Sequence, residues 1–511
     1  MMEQNSRSYN SIRNLINGIL QLLVMTIGPF IIRTVIIWKL GREYIGLNGL
    51  FSSLIQIVNL SELGMNNVIV FFLYKPIENR EIEKVNQYLA WVKKFYCSAG
   101  CFVAVLELLL FPFLDTLIEG DYPPSVNIYL LYLIYMIGNV INYFAFPYKC
   151  TLLTANQRTD YENKAWIYSS FLVYSLQIIS VIVLENFYLY VIIGIFQQIM
   201  VGFYRKKITD KIYPQYVCRG NLSKTEVTEI RKSIIALIGH RINSTVINSS
   251  DNIFLSSFCG LAVVALYSNY LYVCSSVGAV INIIFTSIIA SIGNYIIKES
   301  VKSNLYVFYT IQWINEVLVG WSATILVCLY QGFINLWLGR TYLLSTKTMT
   351  LFVIYFYVTN IRLSVVTYKD ACGMWKQDKW KPYFSMITNI VLDYVLVVKY
   401  GINGVLIASI VSITLIEIPW ETYVLNASYF RTEVYKIWGR RLLYTVVNFG
   451  VVVGTHKLCG VLKSNSLKSI ICRLLIAIFV PGVLYSILYH RTSEMKTVKE
   501  KIKYFLRMQI N

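Results

Sequence analysis

Charge is scarce in this chain, and acid is scarcer than base. Only 14% of its 511 residues are charged, with 27 Asp and Glu against 46 Lys and Arg. Globular proteins run nearer ~25%. Histidine is almost missing, at three residues, and the ten cysteines include no Cys-X-X-Cys pair. Cys97 and Cys101 share a helix face, but most cysteines are scattered through apolar segments, so neither a metal site nor a cofactor is expected. Long polar stretches are missing too. No soluble domain of ordinary size, ~50–200 residues, fits between the apolar runs. No cleavable leader is expected, because the first apolar segment is too long and has no small-residue cleavage site.

Apolar runs are abundant. Hydrophobic residues make up 56% of the chain. About fourteen runs are long enough to span a bilayer, near residues 12–40, 46–73, 88–113, 125–153, 165–184, 188–204, 233–258, 261–297, 305–336, 347–371, 382–400, 403–428, 441–461 and 469–490. The expected fold is an all-α polytopic membrane protein. The net charge of +19 is distributed as a topology signal and does not mark a nucleic-acid partner. With the N-terminus inside, inner loops and tails carry 34 of the 46 Lys and Arg, outer loops 9 and the spans 3. This bias places both termini in the cytoplasm. One outer loop, 457–473, disagrees, with Lys457, Lys463, Lys468 and Arg473.

The runs sort into an N-lobe of six helices (1–204), a basic cytoplasmic linker (205–232), a C-lobe of six helices (233–428), two further helices (429–490) and a basic cytoplasmic tail (491–511). The lobes echo each other. Tyr148-Lys149 with Gln157 matches Tyr368-Lys369 with Gln377, and Gly41 and Asn48 match Gly260 and Asn269. Six helices per lobe give both the same orientation, the pattern of a parallel repeat. The tail alternates charge with Val498, Ile502, Phe505 and Leu506, as an amphipathic helix on the inner leaflet would.

Three arginines stand inside apolar runs: Arg33, Arg241 and Arg362. A charge at the bilayer centre costs ~2.5–3.5 kcal/mol on insertion scales, so such residues face protein or a polar cavity. At helical periodicity Arg241, Ser244, Thr245, Asn248 and Asn252 form one polar stripe, flanked by Asp251. Asn48, Ser52, Asn59, Glu62 and Asn66 form a second, with Gln56 at its edge. Such stripes either pack helices together or line a path. Arginine in a path suits phosphate, because its planar fork binds oxygens in pairs and stays charged. The bland alternative pairs Arg33 with Glu62, Arg241 with Asp251 and Arg362 with Glu316. Glu62 and Asp251 are the candidate ion-coupling acids, for Na+ or H+. Glu107, Asp393 and Glu417 are expected to be structurally paired. Gly28-Pro29 frees the carbonyl of Met25 and is a candidate hinge.

The run from Arg33 to Ser53, RTVIIWKLGREYIGLNGLFSS, resembles the first hairpin of Wzx-type polysaccharide flippases. These form the polysaccharide transport branch of the multidrug/oligosaccharidyl-lipid/polysaccharide exporter superfamily. Leu60-Ser-Glu-Leu-Gly64, Ser250-Asp-Asn-Ile-Phe254 and Tyr267-Ser-Asn-Tyr270 look similar to further signatures of that family. The resemblance implies two six-helix lobes around a cavity and no chemistry of its own. It also implies alternating-access transfer of undecaprenyl-pyrophosphate-linked oligosaccharides across the bacterial inner membrane, for O-antigen, capsule or exopolysaccharide synthesis. Mapped on helix position, Arg33, Arg241 and Arg362 would hold the pyrophosphate. Asn48, Asn59, Asn66, Asn248 and Asn252 would bind sugar hydroxyls. Membrane lipids and other polysaccharide-assembly proteins are the expected partners. A multidrug-type cation antiporter of the same superfamily is the alternative, and it would want carboxylates in its cavity. A membrane polymerase or ligase is a poorer match, because the outer loops are short.

Overall fold

A computed structural model describes residues 2–59, 65–120, 122–374, 377–432, 434–462 and 467–500, without the side chains of residues 2–12, 15, 67, 235–241, 244, 248 and 290. The described residues are helical, and they divide into two compact units, Met1–Ala265 and Leu266–Asn511. The fold is all-α. Eleven helices among the described residues are long and apolar enough to cross a bilayer, or twelve if one bent pair counts as a span. Phe71, Val183, Leu415 and Phe449 are about 70% exposed, an arrangement that suits lipid and would be a liability in water. The chain is a multi-pass membrane protein.

The first unit begins with α1 (Met2–Lys39), a continuous helix that carries Pro29 inside it. It is followed by α2 (Arg42–Val58), α3 (Met65–Glu78), α4 (Ile82–Leu110), α5 (Ile128–Phe144) and α6 (Pro147–Ala155). Then come α7 (Thr159–Leu184), α8 (Phe187–Ile212) and α9 (Lys224–Cys259). The expected helix over 46–73 is described as α2 to Val58 and as α3 from Met65, and residues 60–64 lie outside the described residues. The expected linker 205–232 is shorter than its charge suggested. Helix α8 runs on to Ile212, and α9 already starts at Lys224. Ser223 caps α9 in a reciprocal box with Glu226, which satisfies two otherwise unpaired backbone donors.

The second unit takes most of α10 (Leu261–Ser287), then α11 (Ile289–Lys298), α12 (Val301–Trp337), α13 (Thr346–Ile361) and α14 (Leu363–Ala371). It continues with α15 (Lys381–Tyr400), α16 (Ile402–Ser412), α17 (Ile418–Leu425), α18 (Val434–Gly460) and α19 (Leu467–Leu488). Two π-helical stretches, Ile413–Glu417 and Asn426–Phe430, flank α17. The tail does not lie free. Glu494 bonds Arg440 at 2.5 Å, and Met495 and Val498 pack on Trp313, Tyr444 and Tyr485. Residues 501–511, with the rest of the expected amphipathic stretch, are outside the described residues.

Some local geometry recurs at the positions matched in sequence. Gly41 and Gly260 both end long helices with positive φ, 115° and 83°, a conformation only glycine adopts without strain. The α5–α6 pair bends by 46°, and α13–α14 breaks at Arg362. After each break comes a buried Tyr-Lys pair, Tyr148-Lys149 and Tyr368-Lys369.

Candidate functional site

In the first unit, α1, α2, α7 and α8 surround a cavity of about 180 Å³. It is lined by Pro29, Arg33, Asn48, Tyr174, Gln177, Tyr190 and Gln197, with Ile32, Ile36 and Ile45. The amides are held in place. Asn48 accepts from Tyr135 at 2.5 Å, Gln177 donates to the Tyr190 carbonyl at 3.0 Å, and Gln197 donates to Ser170 at 2.8 Å. Helix α1 passes this wall closely: the ring of Tyr174 lies against Gly28, and its hydroxyl donates to the Met25 sulfur at 3.1 Å. Gly28-Pro29 therefore sits on the cavity wall.

A larger cavity, about 340 Å³, is lined further along α2, α7 and α8. Asn59, Asn66, Asn139, Asn142 and Gln198 line it with Tyr96, Trp166 and Arg205, among others. Asn59 and Asn139 donate to each other at 2.8 and 2.9 Å, and Tyr143 donates to Asn59 at 2.9 Å. Thr151 donates to Asn66 at 2.7 Å. Arg205 grips Glu162 through two nitrogens, at 2.8 and 2.5 Å, and donates to the Ala145 carbonyl at 2.9 Å. That carbonyl lies in the α5–α6 bend, so the arginine also seals the break in the helix. The adjacent residues Gln197 and Gln198 face one cavity each.

The helices that carry the two polar stripes meet. Ser249 of α9 donates to Gln56 at 3.1 Å, and Asn252 donates to Ser53 at 2.9 Å. In these turns the stripes join α2 to α9, the packing role of small polar residues. The structure separates the proposed sugar contacts. Asn48 belongs to the Arg33 cavity, Asn59 and Asn66 to the Arg205 cavity, and Asn252 to the α2–α9 contact. Asp251 is buried on α9. Glu62 and the side chains of Arg241 and Asn248 lie outside the described residues.

In the second unit Arg362 does not pair with Glu316, the partner that the bland alternative gave it. It bonds Glu421 through two nitrogens, at 3.1 and 2.5 Å, and also contacts Glu417. Lys381 reaches Glu421 at 2.6 Å, and Lys369 meets Asp378. Three cations thus balance three acids. Glu316 instead accepts from Tyr357 at 3.0 Å, with Arg441 at 3.8 Å. Sequence reasoning missed Arg205, because it opens a run of basic residues that reads as a loop. It also missed Arg441, which lies near the start of an apolar run.

No family model and no curated protein matches the chain. Solved structures do match. The lipid II flippase MurJ in an inward closed conformation aligns with a TM-score of 0.67 over 94% of this chain and 99% of MurJ, at 14% identity. An inward-facing multidrug resistance MATE family transporter of the MOP superfamily aligns with a TM-score of 0.62, over 80% and 98%, at 12% identity. The Vibrio cholerae MATE transporter VcmN in the bent form aligns with a TM-score of 0.53, over 87% and 98%, at 13% identity. The chain has the fold shared by MurJ and the MATE transporters. The expected all-α polytopic membrane fold matches this architecture.

Proposed function

We propose that the chain is a flippase. It carries a polyprenyl-pyrophosphate-linked oligosaccharide across the bacterial cytoplasmic membrane by alternating access, with both termini in the cytoplasm. The observation that carries this is the Arg205 cavity. Four asparagines, a glutamine, a tyrosine and a tryptophan line it. Amides match sugar hydroxyls, which both donate and accept, and aromatic faces cover the apolar faces of sugar rings. Likeness to a lipid II flippase over nearly the whole chain supports the same class of substrate.

Arg33 is the cation best placed for the pyrophosphate, since it lines a cavity of amides and tyrosines. Arg241 would add a second contact from α9. Arg362 would serve only by exchanging Glu417 and Glu421 for phosphate, which makes its cluster a gate. Asn48, Asn59, Asn66, Asn248 and Asn252 remain the proposed sugar contacts, and Glu62 and Asp251 proposed coupling acids. O-antigen, capsule and exopolysaccharide units all fit.

The test is translocation of a fluorescent short-chain polyprenyl-pyrophosphate disaccharide in proteoliposomes. Wild-type protein is expected to move it. Arg33→Ala is expected to lose at least tenfold in rate, the equivalent of ~1.4 kcal/mol. Full activity of an Arg33→Ala, Arg241→Ala double variant overturns the phosphate role. Resistance to cationic dyes with no glycan-lipid movement would favour the multidrug antiporter. Against that rival, Asp378, Glu417 and Glu421 already hold cations.

A further inference from the structure

Two amides of the larger cavity are left unused by the protein itself. Asn59, Asn66 and Asn139 are tied to protein partners. Gln197, the neighbour of Gln198, is buried and bonded to Ser170. Asn142 and Gln198 also line the cavity, but neither side chain has a hydrogen-bond partner among the described residues. Each presents an NH2 and a carbonyl oxygen to whatever fills the space.

Backbone packing sets the two amides level. Helices α5 and α8 approach closely at two points: a methyl group at Gly138 would overlap Ile195, and one at Gly202 would overlap Ala145. From the first contact to the second, both chains advance by the same number of residues, about two turns, so the helices run parallel along this seam. Asn142 lies on α5 between Gly138 and the cap residue Ala145, and Gln198 lies on α8 between Ile195 and Gly202. Helix positions spaced by three or four residues share a face. Both amides therefore stand on the faces that meet, at the same height. The rest of the wall is electrically closed. Among the described residues, Arg205 is the only charged residue lining the cavity, and Glu162 holds it through two nitrogens. Glu162 also accepts from the Trp166 indole at 3.2 Å, which fixes that ring in the wall. Behind Asn139 stands Glu107, which accepts from it at 2.7 Å and is in no ion pair among the described residues.

We propose that the larger cavity selects a neutral sugar over an acidic one, and that Asn142 and Gln198 are the residues that read it. Sugar hydroxyls donate to the two amide carbonyls and accept from the two NH2 groups, so the ring is held from α5 and α8 at once. Trp166 covers one face of it. A uronic acid brings the same hydroxyls but adds a carboxylate. In this wall the carboxylate meets a cation already spent on Glu162, with Glu107 as a second acid behind. Burying a charge without a partner costs far more than burying a bonded hydroxyl, and like charges add to that cost. The sugar rests on the flippase reading above, but its binding is measured without transport.

The experiment is native mass spectrometry of the full chain released from lipid nanodiscs. Three short-chain polyprenyl pyrophosphates are titrated: one without sugar, one carrying glucose and one carrying glucuronic acid. Wild-type protein is expected to bind the glucose lipid at least about tenfold tighter than the glucuronic acid lipid, the scale of a charge left unpaired. An Asn142→Leu, Gln198→Leu double variant is expected to lose about tenfold for the glucose lipid, the order of one or two net hydrogen bonds. Its binding of the sugar-free lipid is expected to stay unchanged. Equal affinity of wild-type protein for the two glycolipids overturns the selection. Wild-type affinity of the double variant for the glucose lipid, or an equal loss for the sugar-free lipid, overturns the pair. If the double variant does not fold, Gln198→Lys serves. It supplies an unpaired cation and must shift the ratio toward glucuronic acid, and an unmoved ratio overturns the proposal. Failure of the flippase reading would appear separately, as no translocation in the proteoliposomes while these binding ratios hold.

Discussion

Buried charge in the second unit is stabilised by its stoichiometry. Removing one member of a buried ion pair leaves its partner uncompensated, at ~3–5 kcal/mol. Glu421→Ala strips Arg362 and Lys381 of their shared acceptor, so a loss of that order is expected in the thermal unfolding of purified protein. A smaller loss in a Glu421→Ala, Lys381→Ala double variant would show that imbalance is the cause. At the surface, the hydrogen bond from Lys84 holds the Glu226 carboxyl below the usual range. A lowered carboxylate stabilises above its unfolded value of ~4.3 and loses that contribution as pH falls through the folded value. Glu226→Gln keeps the cap but loses the charge. It is expected to melt below wild type at neutral pH, and the difference should vanish in acid. Residue roles were only partly legible from sequence. Arg33 stood out because a charge in an apolar run is rare. Arg205 did not, because a cation at a helix end obeys the topology rule, and only its Glu162 partner shows that it turns inward. Glu107 could not be sorted from Glu417, since a missing partner is a property of packing.

Helix existence was legible and helix continuity was not. Apolar length gave the spans, but the breaks at α5–α6 and α13–α14 depend on tertiary contacts that resupply freed backbone groups. Asn315 shows how: it donates to the carbonyls of Asn360 and Ile361, at 3.1 and 2.8 Å, where α13 ends. Asn315→Leu is therefore expected to destabilise the unit by ~1–3 kcal/mol, the cost of an unsatisfied buried polar group, read by thermal unfolding. Close packing makes a second demand. A methyl group at Gly46 would overlap the backbone carbonyl of Leu261, which cannot swing away as a side chain can. Gly46→Ala is expected to lower folded yield in detergent, while Gly439→Ala, where no neighbour lies within 4 Å, should be neutral.

At the scale of the molecule, the charge asymmetry gives orientation. The proposed cytoplasmic side carries 213–223 between α8 and α9, and the opposite side carries 114–127 between α4 and α5. In a background without native cysteines, Gly120→Cys is expected to react with an impermeant maleimide in intact cells. Arg219→Cys should react only after permeabilisation, and the reverse pattern would invert the topology. The all-α membrane fold was legible because apolar length is a bulk property that survives sequence drift. Substrate identity was not, since it rests on a few side chains brought together by four or five helices.

The balanced cluster in the second unit also bears on how the protein reaches the membrane. Arg362 and Lys369 belong to the α13–α14 span, Lys381 to α15, and Glu417 and Glu421 to the segment around α17. Each segment alone presents uncompensated charge to lipid, at ~2.5–3.5 kcal/mol per residue on insertion scales. Asp378 emerges early enough to meet Lys369, but Arg362 and Lys381 carry that penalty until the acids near α17 emerge from the ribosome. Settling of α13–α14 and α15 is therefore expected to come late in synthesis, when residues 417 and 421 arrive to balance them.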